Sequence, residues 1–303
     1  MKKMLFQSGV LSPLLVPLRF GLTAICATAL LALSASPLHA ASINCDAPGQ
    51  NLQVRINATA LGDRLDVTGV CDDGPYVIRQ DIKLVGPAIL STTAGSAGGV
   101  LTIVGAKVEL RNITIIADNA SDGLVVLDNG TVTAINIVVS GAPSEGILVL
   151  YSSVLRIVSS TIKENRLGVN VANGSTLRMS HTTVEHNTLD GVNVSRDSAG
   201  AIFTSRINHN GRFGIQVLWD GTLQISDTEI TNNGSHGVNI FLQSFMNFFD
   251  PPSRIESNGV IDVNCEGRSG FFARARQISV TKVLVKSPDC LDSFVAGFGA
   301  PVF

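Results

Sequence analysis

The chain has 303 residues, 45% of them hydrophobic and only 15% charged. That balance excludes an intrinsically disordered chain and supplies apolar surface for a large core. A formal net charge of −2, with no run of Lys or Arg, excludes a nucleic-acid binder held by a broad basic surface.

Residues 1–40 read as a signal peptide. Lys2, Lys3 and Arg19 precede an apolar run over residues 20–35, and Leu38-His39-Ala40 offers small residues at a cleavage point. A membrane anchor is the competing reading. The run is short for a span and small, turn-forming residues follow it, which favours cleavage. The mature chain would then carry 19 basic and 24 acidic residues, a net charge of −5, and no membrane span. It would be periplasmic or extracellular, where disulfides persist. Cys45 and Cys71 lie near its start, and Cys265 and Cys290 near its end. Pairing within each end is the simplest of three connectivities, each bridge worth about 3 kcal/mol in the chain-entropy picture. No Cys or His spacing typical of a metal site occurs.

Residues 41–107 read as an N-terminal cap with the first irregular coils. In NLQVRINATALGD, Leu52 and Ile56 are one helical turn apart, which predicts a short amphipathic helix over the open end; a further strand is the alternative. LDVTGVC, YVIRQDIKLVG and VLTIVGAKVEL follow as early coils.

Residues 108–264 carry a clear repeat. Gly123, Gly146, Gly168, Gly191, Gly214 and Gly237 recur at intervals of 22 or 23 residues, each followed by a short apolar-alternating run such as GVNV or GIQV. A second alternating run follows, such as TLRMSHTTV or TLQISDTEI. Alternation of period two means strands, and a unit this short leaves no room for a helix pair. The fold predicted is all-β: a single-stranded, right-handed parallel β-helix, a solenoid of coils about 22–23 residues long, with an N-terminal cap. Asn119, Asn165, Asn187, Asn210, Asn233 and Asn258 each follow a β-branched residue by three positions. Asn tolerates the left-handed backbone of a sharp bend, and stacked amides bond from coil to coil, so this column reads as a structural ladder. After Gly259 the pattern loosens, and residues 265–303 read as a C-terminal closure.

The glycine and asparagine repeats, with V-x-G-x-C at residues 67–71 and V-G-P at residues 85–87, resemble the pectate-lyase-like superfamily of right-handed β-helix proteins over residues 42–265. The resemblance implies action on, or binding of, acidic polysaccharides by residues projecting from an outward face. It matches no single enzyme family. Asp72 and Asp73 stand beside Cys71 outside the regular coils, His236-Gly237 follows Ser235, Arg206-Ile207 precedes Asn208, and no Asp-Pro-His occurs.

Two columns carry candidate chemistry. Asn170, Asn193, Gln216 and Asn239, two residues after successive glycines, predict an outward amide row. Beside it Tyr151, Asn173, Arg196 and Trp219 form one column, with Asp197 and Asp220 in the next. Aromatic rings stack on sugars, amides bond hydroxyls and Arg pairs with carboxylates, so Tyr151, Asn170, Asn193, Gln216, Trp219 and Asn239 are candidate glycan contacts. Asp197, Asp220 and Arg196 are the candidate catalytic groups; the two stacked carboxylates would share a proton or a calcium ion. A solvated face with amide ladders is the structural alternative. The second column is Glu164, His186 and His209, which reads as acid–base groups, as groups that hold a metal, or as a polar turn exposed to solvent. The expected partner is a polysaccharide, with a polysaccharide lyase or hydrolase and a non-catalytic adhesive solenoid as rival readings. No feature of the sequence addresses oligomeric state.

Overall fold

The computed structural model describes residues 41–274, 277–281, 283–285 and 291–295. The predicted signal peptide and Cys290 lie outside the described residues. The chain winds into a parallel β-solenoid in which every named strand pairs in parallel with its counterpart one coil away. Each coil has three faces. The first is a ten-stranded sheet that includes Glu145–Val149, Leu167–Val171, Val192–Ser195, Ile215–Leu218 and His236–Phe241. The second and third faces share one 19-stranded sheet. Val154–Val158, Thr176–Ser180 and Ala199–Phe203 belong to the second face, and Thr161–Lys163, Thr183–Glu185 and Arg206–Asn208 to the third.

Alternation along each strand fills the interior. Val169, Val171, Val192, Val194, Ile215 and Val217 are completely buried, and so are Ile157, Met179, Ile202, Ile162, Val184 and Ile207 from the other faces. Because equivalent residues stack at the inter-strand spacing of about 4.8 Å, each interior position packs against its own repeat above and below.

The three bends per coil all use left-handed backbone. Between the first and second faces two consecutive residues adopt it, as in Tyr151/Ser152, Arg196/Asp197 and Trp219/Asp220. Single residues do so at the other bends: Ser159, His181 and Thr204 at one, Glu164, His186 and His209 at the other. Just inside the last of these bends runs the asparagine ladder. The Asn165 backbone N–H and Nδ2 donate to Asn187 Oδ1 at 3.0 and 3.1 Å, and the pattern repeats from Asn187 to Asn210, Asn210 to Asn233 and Asn233 to Asn258. All five amides are buried. The ladder ends on a carboxylate, because Asn258 donates to Asp262 Oδ1 and Asp262 Oδ2 accepts from Thr281.

Asn119 does not belong to this ladder. Ile115, rather than Ile116, stands opposite the inward Val139, so the ladder register falls on Asp118; Asn119 is exposed and donates to the Thr92 carbonyl. Counting from Ile116, whose side chain faces out, shifts the prediction by one residue. Hydroxyl ladders line the other two bends. Ser175 Oγ and Ser198 Oγ accept from the backbone of Ser153 and Ser175, while Thr182 and Ser205 accept from Ser160 and Thr182.

The ladder explains the repeated glycine. A Cβ on Gly191 would lie 2.6 Å from the Gly214 carbonyl oxygen and 2.8 Å from Asn210 Nδ2, and Gly168 and Gly214 are equally confined. Only a residue without a side chain fits there.

At the N-terminal end, Leu52–Ala58 forms the predicted helix, with Asn51 as N-cap and Leu52 and Ile56 buried. Gln53 on that helix accepts from Val77 N–H at 2.7 Å and donates to Val77 C=O at 2.9 Å, so its amide stands in for a neighbouring strand. Cys45 and Cys71 form a disulfide. Cys265 is also disulfide-bonded. Beyond it, Gly270–Arg274, Ile278–Val280, Val283–Val285 and Leu291–Val295 pair in parallel with the preceding coil, so the segment expected as a closure continues the winding.

Candidate functional site

The bend between the first and second faces carries the aromatic column. Its backbone is tied from coil to coil: Ser152 N–H donates to the Asn173 carbonyl, Gly174 to Arg196, Asp197 to Trp219 and Asp220 to Leu242, all at 3.0–3.2 Å. These ties hold the column rigid. Tyr151 and Trp219 adopt φ values of 56° and 50°, positions filled elsewhere in the column by Asn173 and Arg196. Left-handed backbone is costly for bulky side chains, so a ring placed there is an outlier against local propensity. Neither ring recovers that cost by burial, since Tyr151 is 53% and Trp219 46% exposed. The Arg196 guanidinium lies 5.2 Å from the centre of the Trp219 ring, forming a cation–π pair across two coils. Asp197 and Asp220 occupy successive exposed bend positions beside them.

The amide row stands on the first face, with Asn170, Asn193, Gln216 and Asn239 in one register. It is half-buried rather than open. Asn193 Nδ2 donates to Asn170 Oδ1 at 3.3 Å, and Asn170 Nδ2 donates to Glu145 Oε1 at 3.4 Å. Asn193 Oδ1 is buried with no hydrogen-bond partner. Asn239 departs from its expected role as an open contact: only 8% of it is exposed, and its Oδ1 accepts from Asn264 Nδ2 at 2.7 Å.

His186 and His209 are exposed at left-handed bend positions, with ring planes 5° apart and centres separated by 5.2 Å. His186 Nδ1 lies 3.8 Å from Glu185 Oε2. Among the described residues no group of three His, Cys, Asp or Glu side chains converges as a metal site would require.

A further column escaped the sequence reading. The residues just before the repeat glycines stack in the order Asp122, Glu145, Leu167, Asp190, Phe213 and His236. Asp122 is buried, and its Oδ1 accepts from the Glu145 backbone N–H at 3.0 Å. Burial pushes its carboxyl up from 3.8 to about 6, with a hydrogen bond and charge repulsion from the Glu145 carboxyl adding to the rise. Glu145 also meets the Ser144 hydroxyl and Asn170, the first amide of the row. Two coils further on, buried Asp190 receives two hydrogen bonds from Arg212, at 2.7 and 2.5 Å, and one from the Phe213 N–H. The bonds it donates to Asp190 hold the Arg212 guanidinium above its ordinary pKa. Arg212 also covers the Phe213 ring at 4.8 Å, and Phe213 stacks on His236 at 5.2 Å. The signal was present in the sequence, since an acid immediately precedes three of the repeat glycines.

A shallow depression of about 520 Å³ lies at the N-terminal cap, lined by Gln53, Ile56 and Asn57 of the helix, Val77 of strand Tyr76–Ile78, and Pro75, Arg79 and Gln80 flanking that strand. It contains none of the predicted site residues. No described helix is long and apolar enough to cross a membrane.

Solved structures with the same winding include pectate lyase Pel9A, at 12% identity and a TM-score of 0.58 over 81% of this chain and 78% of that one. An alginate lyase from Paenibacillus sp. str. FPU-7 aligns at 12% identity and a TM-score of 0.54, over 81% of this chain and 97% of its own. The A-module of Azotobacter vinelandii mannuronan C-5 epimerase AlgE4 aligns at 15% identity and a TM-score of 0.52, over 82% and 96%. At such identities the likeness is one of fold. No curated protein sequence matches the chain. The profile of the right-handed β-helix region matches residues 56–205, 98–250 and 145–287, and with the winding, the ladder and the three-faced coils described above it shows that the chain belongs to that family.

Proposed function

We propose that this protein is exported and binds a polysaccharide along the bend that carries Tyr151, Arg196 and Trp219, with Asn170, Asn193 and Gln216 as hydrogen-bonding groups beside it. The observation that carries the reading is the pair of half-exposed rings on strained backbone. An aromatic face offers a sugar ring a flat apolar contact, and a rigid column offers successive sugars successive contacts. The solved structures of similar winding include a pectate lyase and an alginate lyase, which supports a glycan as the ligand class. The Cys45–Cys71 disulfide supports an oxidising compartment, periplasmic or extracellular.

The reading is tested by screening the protein on a glycan array and titrating the hits against Trp219→Ala. The substitution should weaken binding at least tenfold while leaving the thermal midpoint nearly unchanged. Failure to bind any glycan, or an intact Trp219→Ala, would sink it.

One observation favours a second reading, that of a lyase or hydrolase acting on an acidic glycan. Asp122, held protonated to about pH 6, adjoins Glu145, whose carboxylate accepts from Asn170 at the head of the amide row, and the pair would supply an acid there. Asp197, Asp220 and Arg196 are the alternative catalytic set, with calcium as the cofactor the two carboxylates would hold. Incubation with polyuronates, following the ultraviolet absorbance of an unsaturated product with and without calcium, tests the lyase form. A flat trace in both conditions excludes it.

A further inference from the structure

The bend between the third and first faces carries two imidazoles that neither the glycan reading nor the core uses. His186 and His209 follow directly on the paired strands Thr183–Glu185 and Arg206–Asn208, whose register sets Glu185 opposite Asn208. Each histidine is followed in turn by a buried rung of the amide ladder, Asn187 or Asn210, and these two are joined at 2.9 Å. Both flanks are therefore fixed, and the two backbone positions repeat at the strand spacing of about 4.8 Å. The exposed rings turn only about their own side-chain bonds. They lie 5° from parallel, with centres 5.2 Å apart. Left-handed backbone alone does not select the pair, because Glu164 and Asn232 fill the same column on neighbouring coils.

The surrounding charges leave one acid beside these rings. Glu185 stands on the outward side of the third face, between Lys163 and Asn208 in one column. Its strand partner Lys163 turns instead to Glu164 at 3.1 Å, and Arg206 turns to Glu229 at 3.1 Å. What Glu185 meets is His186, with Oε2 3.8 Å from Nδ1. Asn208 contributes an amide oxygen, Oδ1, that is buried and has no hydrogen-bond partner. A buried carbonyl oxygen in that state is a group that an ion or a water satisfies. Two imidazoles, a carboxylate and an amide oxygen thus share one ridge, with no thiolate among them.

We propose that His186 and His209 hold a divalent transition-metal ion between successive coils, with Glu185 as third ligand and Asn208 Oδ1 as the adjacent oxygen donor. Divalent zinc, copper and nickel favour imidazole nitrogen, whereas calcium and magnesium take a shell of oxygens. Donors bound to one such ion stand up to about 4 Å apart, so the Glu185–His186 spacing already matches. Parallel rings set equivalent nitrogens about as far apart as their centres, so His209 has to tilt by about 1 Å to join them. Its exposure permits that movement. Because the ligands come from successive coils, no short spacing along the chain marks the site. The Tyr151 bend lies at the other edge of the first face, and the metal site stands whether or not that bend binds anything.

The test is calorimetric titration of the full, untagged chain with divalent zinc, nickel and copper, joined to electron paramagnetic resonance of the copper form. The expected result is one ion per chain, bound most tightly when it is copper and not displaced by excess calcium. The copper spectrum should show two nitrogen ligands. Asn occupies the same left-handed column at Asn232, so His186→Asn and His209→Asn keep the backbone and should keep the thermal midpoint measured without metal. Each should weaken binding by about 10–100-fold and leave one nitrogen in the spectrum. Glu185→Gln should weaken binding while both nitrogens remain. His181→Asn, at an exposed bend of its own, serves as the control and should bind as the wild type does. Equal loss in His181→Asn, unchanged affinity in the His186→Asn/His209→Asn double variant, displacement by calcium, or no binding at all would each overturn the proposal.

Discussion

Replacing Asp122 by Asn isolates the protonation of one buried carboxyl. In the native fold Asp122 keeps its proton up to about pH 6, against an ordinary value of 3.8, first because it is buried and then because Glu145 faces it. The native state therefore binds more protons than the unfolded chain between these two values. The contribution of Asp122 to stability is whole below about pH 3.8 and is lost as the pH rises through about 6. Two pKa units at 1.36 kcal/mol each set the loss at about 3 kcal/mol. Asn is isosteric, carries no charge, accepts the Glu145 N–H as Asp122 does, and donates to the Glu145 carboxylate where the proton stood. Asp122→Asn should match the wild type near pH 4 and be more stable by about 3 kcal/mol above pH 6.5. Urea unfolding of both proteins between pH 4 and 8, followed by far-ultraviolet circular dichroism, measures the difference, since every other titrating group is common to the two. A difference that stays flat across this range, or one favouring the wild type at neutral pH, would refute the reasoning.

Asn187→Ala strands the Asn165 N–H and the Ile162 carbonyl inside the ladder. At roughly 1–3 kcal/mol per buried unsatisfied group the loss should be on the order of 3–5 kcal/mol in chemical denaturation. Asn193→Ala, on the outward row, should cost less than about 1 kcal/mol in the same assay. Gly191→Ala drives a methyl group against the Gly214 carbonyl, which is backbone and cannot swing away, and should destabilise by about 2–4 kcal/mol. Gly95→Ala meets nothing within 4 Å and should leave the thermal midpoint unchanged.

Much of the fold was legible because a solenoid writes its geometry into the chain at a constant interval. The spacing of Gly168, Gly191 and Gly214 reports the length of one coil, and Asn165, Asn187 and Asn210 report a bend lined by a buried amide, although the left-handed backbone expected of them falls on the residues just before, Glu164, His186 and His209. The cap helix and the Cys45–Cys71 bridge were readable from local spacing. The hydroxyl ladders were not, because Ser153, Ser175 and Ser198 are also ordinary turn residues, and nothing in their identity marks them as buried. Asn119 failed for a related reason. In Ile113–Ile116 the β-branched residues continue onto the outward side, so identity alone does not reveal which isoleucine faces the core. The Asp122–Glu145 contact was present as a column, but its significance rests on burial, which is not a property of one residue.

Gln53 has an effect that reaches beyond one molecule. A wound sheet is open at its first rung, and an uncovered rung invites the last rung of another molecule, which would turn a discrete protein into a growing filament. By engaging both backbone groups of Val77, a single glutamine amide withdraws that rung from intermolecular pairing. The helix beneath it thus acts as a terminator of length as well as a lid on the core.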